Sequence, residues 1–279
     1  MAQNNHTIHV DANAPATAGR LKTLLEYKEL LLSLATRDYR VRFVQTRLGY
    51  VWAIVQPIVL MLILTFVFGK MLNVNTGGIE YPIFALSGQV LWSYFSFSAV
   101  QGGQSLVQSQ HMIRKIWFPR VVLPLSKAAV GFMDLAIGLV VLGAAMAVYK
   151  ALPSVSLIAL PLAILFTWIA GTGVSLWTSA LSIRYRDIQH ALPYFIQFLF
   201  FLTPVAYPAG VLSKSLPESI SWAAYLNPMS GIIDLARFSL FDAELVWNNV
   251  LISVGVAVIL LVTGWHYFHK VERNMADTL

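Results

Sequence analysis

The 279-residue chain contains no cysteine, which excludes disulfides and thiolate metal sites and leaves the redox compartment unmarked. Charge is scarce as well. Charged residues make up 11% of the sequence and hydrophobic ones 57%, a balance too apolar for a soluble domain of this length. No Gly-x-x-x-x-Gly-Lys-Ser/Thr occurs: Gly69-Lys70 lacks the preceding glycine loop and Gly171-Thr172-Gly173 lacks the lysine. Nucleotide phosphates must therefore be cradled, if at all, by another chain. A membrane glycosyltransferase would place paired acids on a loop, but Asp187 stands alone between Arg186 and His190. The six histidines, at 6, 9, 111, 190, 266 and 269, are terminal or flank apolar runs. His266 and His269 share a helical face without a carboxylate pair and read as interfacial residues, not metal ligands. The expectation is no catalytic residue, no metal site and no cofactor on this chain.

What the sequence does have is six long apolar runs. Uncharged stretches cover residues 48–69, 81–113, 151–183, 188–213 and 245–269, each longer than the roughly 20 residues a helix needs to cross a hydrocarbon core. The sixth, about 121–149, carries Lys127 and Asp134 but is uncharged from Leu135 to Tyr149. Fifteen of the nineteen Lys and Arg residues fall in alternate gaps: before residue 48, at Arg114, Lys115, Arg120 and Lys127, at Arg184 and Arg186, and at Lys270 and Arg273. Cationic loops are retained on the cytoplasmic side, so this pattern predicts both termini inside. The formal charge of +6 follows the membrane boundary and forms no separate basic surface of the kind nucleic acid requires.

The predicted organisation is an all-α membrane protein. Residues 1–20, which lack a signal-peptide core, read as a disordered cytoplasmic leader. Residues 21–47 form an amphipathic interface helix with leucines 21, 24, 25, 31 and 32 on one face. A six-span domain covers 48–270 and a cytoplasmic tail 271–279. Gln56-Pro57 predicts a kink in the first span. The second run is too long for one straight span and is expected to cross as far as about Gly103, then continue as a polar cytoplasmic segment. Asp134 is a costly intramembrane acid in need of a partner, and Lys127, two turns away on the same helix, is too distant to be it. Thr203-Pro204-Val205-Ala206-Tyr207-Pro208 breaks the helix after the fifth span. Beyond it, Asn227-Pro228 with Asp234 and Arg237 predicts two short half-helices dipping into the outer leaflet.

Four ordered segments carry a family likeness: Arg-Leu-Gly-Tyr-Val-Trp-Ala-Ile-Val-Gln-Pro at 47–57, Arg-Lys-Ile-Trp-Phe-Pro-Arg-Val-Val-Leu-Pro-Leu at 114–125, Arg-Tyr-Arg-Asp-Ile at 184–188 and Tyr-Leu-Asn-Pro-Met-Ser-Gly at 225–231. Across about residues 25–270 the chain resembles the ABC-2 type permeases that export O-antigen and related polysaccharides. The resemblance implies a homodimer paired with two copies of a separate ATPase, which holds ATP and Mg. It also implies a glycan cargo linked to undecaprenyl diphosphate, moved across a bacterial inner membrane. Carried onto this chain, ATPase docking falls on Leu106, Gln108, His111, Arg114, Lys115, Arg184, Arg186 and Asp187. For Arg114, Lys115 and Arg120, pinning the inner membrane boundary is the plainer alternative. Arg37, Arg40, Arg42 and Arg47 either anchor the interface helix to lipid or contact the substrate's pyrophosphate. Trp52, Trp92, Tyr94, Phe95, Phe97, Tyr194, Phe198 and Phe201 are candidates to line a glycan path, because aromatic faces pack on sugar C–H faces and tolerate sliding. Rival readings are an ABC-2 exporter of capsule, teichoic acid or drug, a polytopic glycosyltransferase or acyltransferase, and a channel without an energy source.

Overall fold

In the computed structural model residues 24–44, 47–214 and 217–274 are described; the leader, the start of the interface helix and the end of the tail lie outside them. All regular structure among the described residues is helical. The interface helix α1 spans Lys28–Val44, and α2, Val51–Leu64, continues as a π-helical stretch over Thr65–Met71. Next come α3 (Tyr81–Gln108), the short α4 (Gln110–Ile113) and α5 (Val122–Val148). A 3-10 turn, Val155–Ala159, leads into α6 (Leu160–Arg184), followed by α7 (Asp187–Leu202) and α8 (Ala209–Lys214). A second 3-10 segment, Glu218–Leu226, precedes α9 (Pro228–Phe241), and α10 (Trp247–Asn274) closes the chain.

Five helical stretches are long and apolar enough to cross a membrane: Val51–Met71, Tyr81–Gln108, Val122–Val148, Val155–Arg184 and Trp247–Arg273. The expected fifth crossing, 188–213, is not one continuous helix. Its helix α7 has 16 residues, about 24 Å at 1.5 Å per residue, and Thr203 is extended at φ −93° and ψ 137°. The cause is local: Pro204 disfavours helical geometry at the residue before it and supplies no N–H.

The centre of the bundle is α3, flanked by α5 and α6, with α10 packed on the far side of α6. This helix runs unbroken through Gly103 to Gln108, so the polar segment after Gly103 begins as buried helix. Leu106 is fully buried with Phe118, Val122, Leu176 and Phe268. By contrast α2 buries only Leu64, and its helix continues through Pro57. Its irregularity comes a turn or two later, in the π-helical stretch, where Gly69 lets the backbone meet the Tyr81 ring.

The predicted leucine face of α1 is divided in two. Leu24, Tyr27, Leu30, Leu31 and Leu34 pack with Phe118 and Val121, whereas Leu25 and Leu32 remain 71% and 59% exposed. The helix therefore lies between protein on one side and an unfilled apolar side on the other.

The half-helix pair forms as expected, with its turn at Asn227. The Asn227 side chain caps α9 by accepting from the Met229 N–H at 3.1 Å, and Pro228 takes the first helical turn, where a missing N–H costs nothing. Ser253, about 9 Å along α10 from Trp247, accepts from the Gly231 N–H and donates to the Tyr225 carbonyl. Almost every α9 side chain is buried against α10, α6 and α3.

Close approach of α6 and α10 depends on Gly173, where a Cβ would stand 2.7 Å from the Leu261 nitrogen and 2.8 Å from the Leu260 carbonyl carbon. Backbone cannot yield as a side chain can. Gly173→Ala should destabilise the protein by about 1–3 kcal/mol through overpacking, whereas Gly255→Ala on α10, which meets nothing within 4 Å, should be neutral or mildly stabilising. Unfolding midpoints in mixed micelles would check the contrast.

Candidate functional site

At the end of the bundle where α3, α6 and α10 finish, helix α1 is joined to α5 by two crossed ion pairs. Lys127 meets Asp38 at 2.7 Å, and Arg42 meets Asp134. Asp38 and Arg42 are about one turn apart on α1 and Lys127 and Asp134 about two turns apart on α5, and the helices carry the charges in opposite order. Arg37 also pairs with Asp38, at 2.9 Å, and the Arg42 guanidinium lies 5.2 Å from the Phe97 ring centroid. Asp134 thus has a structural partner, and it is not Lys127. Of the four arginines assigned to a headgroup, Arg37 and Arg42 are committed to carboxylates, while Arg40 and Arg47 are exposed. Beside them Tyr39 stacks on Tyr50 with centroids 5.6 Å apart.

Asp38 lies on α1, outside the spans. Burial acts to raise its pKa, but the hydrogen bonds and charges of Lys127 and Arg37 outweigh that and hold it below its ordinary value of 3.8. A depressed carboxylate pKa stabilises the fold above that ordinary value and loses the contribution as pH falls through the folded one.

The two loops expected to dock an ATPase come together at this same end. Gln104 on α3 donates to the Gln189 carbonyl at 3.0 Å, tying the segment after α6 to the end of α3. Gln108, His111, Arg114, Lys115, Arg184, Arg186, Asp187 and His190 are exposed. Leu106 is the exception: as a fully buried core residue it is corrected from a surface contact to a packing residue. The C-terminal part of α10 joins the group through Glu272, which accepts from the Arg120 backbone N–H at 2.9 Å and lies 3.9 Å from His269.

The aromatic candidates divide by burial. Trp92, Tyr94 and Phe95 are core side chains: Trp92 packs on Phe95 and Phe200, and the Tyr94 hydroxyl donates to the Ala128 carbonyl at 3.3 Å. Their assignment to an open path is therefore corrected within this protomer. Phe97 is half-buried beneath Arg42. Trp52, Tyr194, Phe198 and Phe201 are exposed, with Phe195 and Leu202 beside them. On α7 the helical period separates Leu192, Ile196 and Leu199, turned toward α3 and α6, from this outward ring stripe.

At the opposite end lies a polar centre that the sequence did not announce as a unit. Arg237 of α9, 2% exposed, donates to the Pro204 and Val205 carbonyls at 2.7 Å each. Its guanidinium carbon sits 3.6 Å from the Phe84 ring centroid. The Tyr81 hydroxyl donates to the Ala206 carbonyl at 2.7 Å, and Asn227 Nδ2 to Thr203 Oγ1 at 2.7 Å. Gly88 makes room, since a Cβ there would meet Arg237 Nη2 at 3.0 Å. The available signal was a lone arginine in an apolar half-helix near a twice-proline break.

Among the described residues no three of His, Cys, Asp and Glu gather to hold a metal. The arrangement offers exposed polar loops and an ion-paired interface helix at one end, a braced break at the other, and a ring-lined face between them.

The fold and these surfaces are those of a membrane permease, and sequence comparison supplies the family. The ABC-2 type transporter profile matches residues 29–241, and the chain belongs to that family. It is similar to the O-antigen export system permease protein RfbA of Klebsiella pneumoniae, 28% identical over 252 residues, covering 90% of this chain and 95% of the relative. RfbA of Myxococcus xanthus is 25% identical over 263 residues, covering 93% and 98%. The polysialic acid transport protein KpsM of Escherichia coli is 25% identical over 210 residues, covering 74% and 78%.

Two outcomes are expected. In hydrogen exchange of the reconstituted protein, α1 should lose protection as pH falls below 3.8, and Lys127→Gln should lower protection near neutrality and flatten that dependence. Arg237→Met, which strands two buried carbonyls, should cost about 3 kcal/mol or more. Phe84→Leu, which removes only the ring beneath the guanidinium, should cost about 1–2 kcal/mol. Denaturant titration of both variants in micelles would measure the difference.

Proposed function

We propose that this chain is the transmembrane permease subunit of an ATP-driven exporter of lipid-linked, O-antigen-like polysaccharide in a bacterial inner membrane. The carrying observation is the end-to-end similarity to RfbA proteins of two organisms, covering 95% and 98% of those relatives. The similarity thus runs along nearly the full length of both relatives. The match to KpsM covers less of both proteins, which makes capsule-type polymer the second reading.

In this reading two copies of the chain face each other and two ATPase subunits, carrying ATP and Mg, sit beneath them. Both termini are cytoplasmic, and the segment from α7 through α8 makes the sixth crossing. Exposed Gln108, His111, Arg184, Arg186 and Asp187 suit contact with the ATPases, and the Gln104 to Gln189 bond makes the two loops move together. Cargo crosses without any bond being made or broken. The exposed rings Trp52, Tyr194, Phe198 and Phe201 offer dispersion contact to sugar faces, which is non-directional and so resists translation little. Arg40 and Arg47, the headgroup candidates that no described carboxylate holds, attract the pyrophosphate of undecaprenyl diphosphate.

Depletion of the chain in its native cell should trap lipid-linked polysaccharide on the cytoplasmic side, scored by glycan-specific labelling of intact and permeabilised cells. Unchanged surface and internal glycan would remove the polysaccharide reading. Loss of polymer from both places would point to a synthetic enzyme.

A further inference from the structure

The 3-10 turn Val155–Ala159, between α5 and α6, is built inside out. Its inward side carries small residues: Ala151 and Ala159 pack on the core cluster, and the Ser154 and Ser156 hydroxyls bond the Asp242 carboxylate at the end of α9. Its outward edge carries large apolar ones. Val155 and Ile158 stand one 3-10 turn apart, at about three residues per turn, and Leu152 lies three residues ahead of them. Leu152, Val155 and Ile158 are 88%, 99% and 87% exposed. Single exposed aliphatics are ordinary, but three at one spacing on a short hairpin form a ridge that water covers poorly.

Helix lengths say what covers the ridge. Lys127 is ion-paired to α1, and Tyr149, which ends α5, lies about 33 Å further along that helix. On α10 the distance from Lys270 back to Trp247 is about 35 Å. Each is close to the roughly 30 Å of a hydrocarbon core. Tyr149 and Trp247 therefore mark the membrane boundary at the end opposite α1, where such rings collect. The 3-10 turn begins six residues after Tyr149, and Asp242, to which it is hydrogen-bonded, stands five residues before Trp247. Its ridge thus sits at the level of the lipid boundary.

We propose that Leu152, Val155 and Ile158 insert as a foot into the lipid leaflet at the end opposite α1, among its first acyl carbons, and that this foot sets the depth of α9. The link between foot and half-helix is polar and short. Ser156 Oγ donates to Asp242 Oδ1 at 2.9 Å, the Ser154 hydroxyl bonds the same carboxylate, and the Ser154 N–H donates to the Leu240 carbonyl at 3.3 Å. Asp242 ends α9 in the left-handed region at φ 53°, which an aspartate tolerates when its side chain bonds locally. Three bonds thus tie the last turn of α9 to the foot, and a change of lipid depth there is delivered to the half-helix that carries Arg237. The inference needs a membrane around the chain and no particular cargo, so it goes beyond the export reading and does not depend on it.

Because the chain has no cysteine, single ones can be placed in the full protein, labelled with an environment-sensitive fluorophore and read in phosphatidylcholine nanodiscs. The quenchers are aqueous iodide and phosphatidylcholine spin-labelled either near the glycerol or near the chain end. Val155→Cys should be quenched most by the label near the glycerol and little by iodide, as the about 5–10 Å depth of an interfacial segment requires. Val140→Cys, on α5 and about 14 Å deeper than Tyr149, should prefer the chain-end label, and Glu244→Cys, in the exposed loop after α9, should be open to iodide. Iodide quenching of Val155→Cys equal to that of Glu244→Cys places the ridge in water and overturns the foot. Protection from iodide and from both lipid labels means that protein, such as a second copy of the chain, covers the ridge, and also overturns it. For the link to α9, S154A/S156A should raise hydrogen exchange in the last turn of α9 at least about threefold while leaving the quenching of Val155→Cys unchanged. Unaltered exchange there would overturn the seating of α9 on the foot.

Discussion

A break in a helix inside an apolar protein frees backbone carbonyls where water cannot reach them, and each must find a donor. The end of this permease opposite α1 is organised around that constraint. Two prolines interrupt the segment after α7, and the carbonyls of residues 204, 205 and 206 turn to Arg237 and Tyr81. Because one guanidinium serves two of them, α9 cannot move without breaking both contacts. The ring of Phe84 and the gap at Gly88 then fix where α3 must lie. A buried arginine is costly in isolation; here its desolvation is offset by carbonyls that would otherwise be orphaned.

Hydropathy and charge made much of this architecture legible in advance. Five of the six expected crossings appear as helices long and apolar enough to span, and these, the break at residues 203–208 and the turn at Asn227 follow from run lengths and proline chemistry. What stayed hidden was pairing between distant segments. Asp134 advertised its need for a partner, but nothing local identifies Arg42, 92 positions away. The aromatic residues show the same limit from the other side. Composition places Trp92, Tyr94 and Phe95 at a membrane boundary, yet their orientation depends on which face of α3 meets α5 and α6, and a helix surrounded by neighbours leaves no polar stripe to reveal it. For α7 the pattern was readable, because Leu192, Ile196 and Leu199 recur at helical spacing while the exposed rings fall between them.

The distribution of burial carries a functional asymmetry. Helix α3 is enclosed, whereas α2 buries a single side chain and α7 leaves its rings open. Lipid satisfies apolar exposure as readily as protein does, so exposure alone does not select an occupant. In the proposed export reading, the exposed ring faces of α7 would suit a partner with its own C–H faces better than they suit mobile acyl chains.

The charged end is built differently from the opposite end. Four contacts bridge segments far apart in sequence: Asp38 with Lys127, Arg42 with Asp134, Gln104 with Gln189 and Arg120 with Glu272. Each joins separate segments to a long helix, three of them near its end and the Arg42–Asp134 pair at the middle of α5. A push on any exposed loop is therefore delivered to α3, α5 or α10, since loop and helix end are held by hydrogen bonds as well as by chain connection. The opposite end is held by Arg237 and the buried α9. A bundle driven at one end and braced at the other rocks as a body more readily than it stretches, because close-packed interiors deform little. In the proposed export reading, that is the mechanical behaviour a permease driven by a separate ATPase would require.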